Sequence, residues 1–138
     1  MGWHGNLMSI SELKKFDMKI LVVEDDIYMN ETLCDILKES GHKVDNTLEA
    51  DEAMFKLREQ KNSYNLLVLD YNLGSQDELT GIDIYDAAKK ENPDTKAIMI
   101  SGHGNRLLRE KALHEGINFY FDKPFLINEF MTAVNDLS

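Results

Sequence analysis

The stretch "KILVVEDDIY", Lys19 to Tyr28, decides the fold. An unbroken apolar run, Ile20, Leu21, Val22 and Val23, ends abruptly in three consecutive carboxylates, Glu24, Asp25 and Asp26. A short apolar run without polar alternation reads as a strand buried on both faces. Such a strand has no need of acids at its end. Like charges about 4 Å apart repel by roughly 1 kcal/mol in water and roughly 4 kcal/mol at an effective dielectric of 20. A bound cation is the simplest way to offset that cost.

Working outward, the same pattern repeats. Further apolar runs occupy residues 66–69, 97–100 and 119–121, with a weaker one around Val44. Between them lie the amphipathic stretches "MNETLCDILKES", "EADEAMFKLREQ", "GIDIYDAAKKEN", "NRLLREKALHEG" and "LINEFMTAVNDL". Leu33, Ile36 and Leu37 share one helical face; Met54 and Leu57 share another, with the Phe55 ring at its edge. Gly41 and Gly116 follow helical stretches and read as C-caps. Near-continuous apolar strands separated by helices imply a parallel sheet covered on both faces. Five βα units predict an α/β fold, a doubly wound five-stranded parallel sheet. Residues 1–17 are mixed in composition and read as an N-terminal extension or linker; residues 18–138 read as one domain. No internal repeat or low-complexity tract interrupts them.

The bulk numbers narrow the partners. The chain has 138 residues and a formal net charge of −10, which disfavours nucleic acid and anionic membranes as partners. No apolar run approaches the roughly 20 residues of a membrane span. The start, "MGWHGNLMSISELKKFD", lacks the apolar core of a secretory signal, and Asn6 stands where a myristoylation motif wants Ser or Thr. The single cysteine, Cys34, forms no internal disulfide, fits a reducing cytoplasm and reads as a small buried hydrophobe.

In an open parallel sheet, ligands bind outside the carboxyl ends of the strands. After Val23 come Glu24, Asp25 and Asp26; after "NLLVL" comes Asp70; after "AIMI" comes Ser101; after "NFYF" comes "DKPF", with Lys123. Alone, each is an ordinary loop residue or cap. Together, at the same end of different strands, they are hard to read as caps. Clustered carboxylates hold a hard cation such as Mg²⁺, which takes one or two of them plus waters. A carboxylate beside that metal is a potential nucleophile toward phosphorus, with a hydroxyl and an ammonium to neutralise the transferred group. There is no Walker-type loop, no G-x-G-x-x-G after the first strand, no zinc-like Cys/His spacing and no G-x-S-x-G elbow.

"ILVVEDD", "LLVLDYNL", "AIMISGHG" and "FDKPF", in this order and spacing, resemble the receiver domain of two-component response regulators over about residues 18–137. The resemblance implies a flavodoxin-like (βα)5 fold with strand order 2-1-3-4-5. It implies a phosphorylation-dependent signalling switch, cytoplasmic, catalysing only its own phosphorylation and dephosphorylation. Asp70 matches the phospho-acceptor. Glu24, Asp25, Asp70 and the backbone carbonyl of Asn72 match the ligands of a Mg²⁺ ion, with Mn²⁺ as an alternative. Ser101 matches the switch hydroxyl, Lys123 the phosphoryl-binding lysine and Tyr120 the switch aromatic. The implied partners are a sensor histidine kinase or histidine phosphotransfer protein, and a second receiver as a homodimer, with no direct nucleic-acid or membrane contact. The resemblance also implies a cis Lys123–Pro124 bond. It implies a Tyr120 ring that turns from outside to inside on phosphorylation, altering the surface around Arg106, Arg109 and Phe121; the plainer reading is a fixed, half-buried aromatic.

Asp26 falls just after the acid pair and reads as helix first-turn charge rather than a ligand. The loop "YNLGSQDELT" is about three residues longer than usual for the family, lacks its common proline, and adds Asp77 and Glu78. A solvated insertion is the plainer reading of it. His103 matches a position that influences water access to the phosphoryl group, and reads equally well as an exposed loop residue. Two alternatives fit the residues less well: an Asp-nucleophile phosphatase of the haloacid-dehalogenase kind, which would want Asp where Asn72 stands and a cap domain, and an interaction module that is not phosphorylated, which would be expected to lack Asp70 or Lys123.

Overall fold

The computed structural model describes residues 17–60, 63–73, 79–102 and 106–138. Strands and helices alternate along them: β1 (Lys19–Val23), α1 (Ile27–Glu39), β2 (Lys43–Thr47), α2 (Ala50–Glu59), β3 (Leu66–Asp70), α3 (Gly81–Glu91), β4 (Lys96–Ser101), α4 (Arg106–His114), β5 (Phe119–Asp122) and α5 (Ile127–Leu137). The strands form one five-stranded sheet in the order β2-β1-β3-β4-β5, and every neighbouring pair is parallel. The chain therefore has the predicted doubly wound α/β architecture.

The period-two geometry of a strand divides its side chains between two cores. Leu21, Val23, Leu67, Leu69, Ala97 and Met99 face Ala53 and Leu57 of α2 and Ile84, Tyr85 and Ala88 of α3. Ile20, Val22, Leu66, Val68, Ile98 and Ile100 face Leu33, Cys34 and Leu37 of α1 and Phe130, Ala133 and Val134 of α5. Each of the large aliphatic side chains contributes about 1.5–3 kcal/mol by leaving water. β2 sits at one edge with the sequence "KVDNT" and is only partly buried, which is why its apolar signal is weak. Phe55, assigned to the edge of the apolar face of α2, is 56% exposed.

The helices are not equally anchored. α1 buries Asn30, Leu33, Cys34 and Leu37, and α3 buries residues along its whole length and opens with a capping box between Thr80 and Asp83. α4 buries Ala112 alone among its residues, and its Leu107 is 74% exposed. Leu108 packs only partly buried against the core that α3 also lines, so α4 contributes less apolar burial than α1 or α3.

Gly41 and Gly116 both take positive φ, +96° and +107°, and the N–H of each closes the turn on a helix carbonyl, Lys38 and Leu113 respectively. Only glycine adopts this conformation without strain. At Gly116 a Cβ would also sit 2.7 Å from the Tyr85 hydroxyl oxygen. Gly116→Ala should therefore destabilise the fold by about 1–3 kcal/mol, read as a lower midpoint in urea unfolding with an unchanged slope.

Candidate functional site

The acids, the hydroxyl and the lysine meet where the parallel strands end. Parallel register puts the C-terminal ends of β1, β3, β4 and β5 at one edge of the sheet. Glu24, Asp25 and Asp70 each offer an oxygen within 4.8 Å of the others, and Glu24 and Asp70 are buried while Asp25 is exposed. The Lys123 ammonium lies 2.6 Å from Glu24 Oε1 and 3.4 Å from Asp70 Oδ2. The shorter contact is an ion pair between a half-buried lysine and a buried glutamate. The other Glu24 oxygen, Oε2, accepts the Asp26 N–H at 3.0 Å.

Lys123 reaches this place because its loop is fixed at both ends. Its N–H donates to the Ser101 carbonyl at 2.8 Å, extending the β4–β5 pairing. Two residues on, the Phe125 ring packs against Phe121 and Phe130 with centroids 5.6 and 5.7 Å away. The Lys123–Pro124 bond is cis, as the sequence implied.

The electrostatics follow from burial and from like charge. Burial, followed by the neighbouring Glu24 carboxylate, pushes the Asp70 carboxyl up to about 8; Lys123 pulls the other way, and Asp25 adds a smaller upward push. Burial alone would lower the Lys123 ammonium, but Glu24 and Asp70 outweigh it and the net shift is upward. The cluster carries more negative charge than one ammonium neutralises. Hard oxygen donors, two of them buried and crowded, suit a small divalent cation that keeps part of its water. The donor set fits Mg²⁺.

Several assignments take a more definite form. Asp26 is the N-cap of α1, its Oδ1 accepting the Met29 N–H at 3.0 Å, rather than a first-turn charge. Asn72 lies exposed two residues past Asp70 and bridges to Thr80. Ser101 is fully buried at the end of β4. Tyr120 is only 6% exposed and packs in the core cluster, so its ring lies inward where the expectation began with an outward one. The Arg109 guanidinium of α4 lies over the ring at 5.8 Å. The Tyr120 hydroxyl is buried without a well-formed hydrogen bond. Burial raises its pKa, an effect that Ser101 opposes and Asp122 reinforces. Asp77, Glu78 and His103 lie outside the described residues.

One buried polar residue at the site carried no assignment from the sequence. Asn30, 1% exposed, donates from its Nδ2 to the Glu24 carbonyl at 2.9 Å and to the Thr47 carbonyl at 3.0 Å. Its signal was present: Asn30, Leu33, Cys34 and Leu37 share one helical face, and an amide on an apolar face needs partners.

Comparison with known proteins agrees with this geometry. The family model for the response regulator receiver domain matches residues 20–135. The chain is 33% identical over 107 residues to the nitrogen assimilation regulatory protein NtrX of Azorhizobium caulinodans, covering 77% of this chain and 23% of that protein. It is 30% identical over 131 residues to the probable chemotaxis protein CheY of Rhizobium etli, covering 92% and 94%. The crystal structure of the receiver domain of NtrX from Brucella abortus superposes with a TM-score of 0.76 at 29% identity, covering 86% of this chain and 96% of that one. The chain spans about a quarter of the length of the Azorhizobium NtrX and 51% of the PhoP of Pseudomonas aeruginosa.

The raised Asp70 carboxyl has a consequence for stability. Asp70 binds its proton more tightly folded, up to about 8, than at its ordinary 3.8. Between those values the folded state holds the extra proton, so stability falls as pH rises through that window. Asp70→Asn removes the titration. Without divalent metal, the substituted protein should match the original near pH 4. It should exceed it by an increasing margin toward pH 8, on the order of 1–2 kcal/mol, a fraction of the roughly 4 kcal/mol estimated for a close like-charge pair. Thermal melts across that pH range in EDTA check the sign.

Proposed function

Because the chain belongs to the response regulator receiver domain family, we propose that it is a phosphorylation-dependent switch that accepts a phosphoryl group on Asp70 from a histidine kinase or histidine phosphotransfer protein. The observation that carries this reading is the convergence of Asp70, Glu24, Asp25 and Lys123 at one sheet edge, with Lys123 in contact with both buried acids.

Each residue has a role set by its chemistry. An oxygen of ionised Asp70 attacks the phosphorus of a phosphohistidine; the new O–P bond forms as the P–N bond breaks, and the electron pair leaves with the imidazole. Lys123 supplies a positive charge beside Asp70 as charge builds on the transferred oxygens. Glu24, Asp25, Asp70 and the Asn72 carbonyl are the groups that would hold Mg²⁺. When bound, the ion supplies positive charge that favours ionised Asp70 and offsets charge on the phosphoryl oxygens. Ser101, buried beside Tyr120 and at the end of the strand next to Asp70, offers a hydroxyl to the new phosphoryl group. Charge-assisted hydrogen bonds of that kind are worth about 1.5–3 kcal/mol, enough to bias a segment with two near-degenerate positions.

The output face in this reading is α4-β5-α5. The weak anchoring of α4 supports it. With Tyr120 already inside, the readout is a change in how firmly the ring and α4 are held, and a partner or a second receiver docks where Arg106, Arg109 and Phe121 lie. Residues 18–138 act as the receiver and 1–17 as an extension.

Treatment with acetyl phosphate and Mg²⁺ should add one hydroxylamine-labile phosphate, located to Asp70 by mass spectrometry and absent from Asp70→Asn. A full-strength adduct in Asp70→Asn would remove the assignment, and turnover of exogenous phosphomonoesters would favour a phosphatase instead. The acid pair is tested separately. Asp25→Ala should abolish Mg²⁺-dependent labelling, whereas Asp26→Ala should leave it nearly intact and lower stability by about 1 kcal/mol through loss of the helix cap. Equal loss from both would mean that the wrong pair had been chosen.

A further inference from the structure

Asn30 sits at the junction between the acid pair and the edge of the sheet, and its bonding is unusually complete. Its single Nδ2 donates to two backbone carbonyls, Glu24 at 2.9 Å and Thr47 at 3.0 Å. Its Oδ1 accepts from Asn46 Nδ2 and from the Cys34 thiol, the latter at 3.5 Å. Carbonyls only accept, so these partners fix which end of the amide is nitrogen. The Thr47 carbonyl also accepts the Glu24 N–H at 3.2 Å. The peptide on either side of Glu24 is thus tied to the end of β2: its N–H directly, its carbonyl through Asn30.

That carbonyl belongs to the peptide plane that leads into Asp25. Asp25 is exposed, and its carboxylate meets Asp70 at the site while no cation or backbone donor among the described residues holds it, so its aim toward Glu24 and Asp70 depends largely on the backbone that precedes it. Few other side chains would serve. A serine or threonine hydroxyl has one proton for two carbonyls, an ionised aspartate has none, and an aliphatic residue leaves buried acceptors short of a donor. We propose that Asn30 is the positioning residue of the acid pair: by clamping the Glu24–Asp25 peptide to β2, it holds the two carboxylates at the spacing that a divalent cation requires. The proposal rests on the metal role given above to Glu24 and Asp25.

Groups that orient metal ligands, when removed, typically cost ten- to a hundredfold in affinity. Mg²⁺ alone is the probe, titrated into the full chain and followed by amide NMR well below the melting temperature of every variant. Asn30→Ala should bind Mg²⁺ about tenfold more weakly. Val134→Ala, which cuts into the same core from α5 without touching the Glu24 peptide, should bind as the unaltered protein does. Asn46→Ala, at an exposed position, should loosen the amide and weaken binding by a smaller factor. In acetyl phosphate labelling, the Mg²⁺ concentration for half-maximal rate should rise with Asn30→Ala while the rate at saturating Mg²⁺ stays within about twofold. Unchanged Mg²⁺ affinity in Asn30→Ala would overturn the proposal. So would an equal loss in Val134→Ala, since the effect would then be general destabilisation. Should Asn30→Ala fail to fold, Asn46→Ala decides: an affinity equal to that of the unaltered protein overturns the clamp. Absence of any Mg²⁺ response in the unaltered protein would overturn the metal site itself, a different failure from the loss of the clamp.

Discussion

One ammonium stands among three carboxylates, and much of the site depends on where it is held. Lys123 leaves β5, at the edge of the sheet, and crosses β4 to reach acids at the ends of β3 and β1. Its 2.6 Å contact with Glu24 is shorter than its 3.4 Å contact with Asp70. Glu24 is therefore the better neutralised of the two buried acids, and Asp70 keeps the residual repulsion, its carboxyl pushed up to about 8. A buried pair of acids with a single ammonium costs free energy that the hydrophobic cores on both faces must exceed. A protein selected only for stability would not keep it. The strain lies at the residue that the proposed chemistry needs most.

The backbone around the site looks built to bear that strain. Glu24 is held by its N–H to Thr47, by Oε2 to Asp26, by Oε1 to Lys123 and by its carbonyl to Asn30. Asp26 caps α1 in the same turn, so the acids, the helix start and the edge strand form one hydrogen-bonded unit. Asp70 is restrained differently, by its place at the end of a fully buried strand. The two halves of the acid cluster are positioned by unlike means: a polar network on one side and apolar packing on the other.

This difference explains what the sequence disclosed and what it withheld. The strand order, both cores and the convergence of Glu24, Asp25, Asp70, Ser101 and Lys123 follow from apolar runs and from what succeeds each, because parallel register aligns strand ends. Motif resemblance carried the individual roles. The edge strand β2 was faint because half of it faces water. Asn30 was passed over because a helical pattern is judged by its apolar members, while its function lies in carbonyls on two other elements. The Tyr120 rotamer could not be read at all: an aromatic on a strand packs inward or outward according to the neighbouring helix, and no local pattern records how tightly that helix is held.

Tyr120 then joins the site to the surface. Its ring is buried behind Ser101, its hydroxyl lacks a well-formed hydrogen bond, and Arg109 of the weakly anchored α4 covers its outer side. A buried phenol without a full partner is a cost, commonly about 1–3 kcal/mol. The cation over the ring returns about 0.5–1 kcal/mol at an exposed site. Burial of the ring in the core adds about 1.5–3 kcal/mol on the other side, so local contacts favour the inward ring and leave its hydroxyl as the under-satisfied part. A change beside that hydroxyl alters its balance, and Ser101 is the neighbour through which, in the proposed reading, Asp70 would supply one. In the proposed reading, the switch would draw on what α4 leaves unburied as well as on the acid cluster.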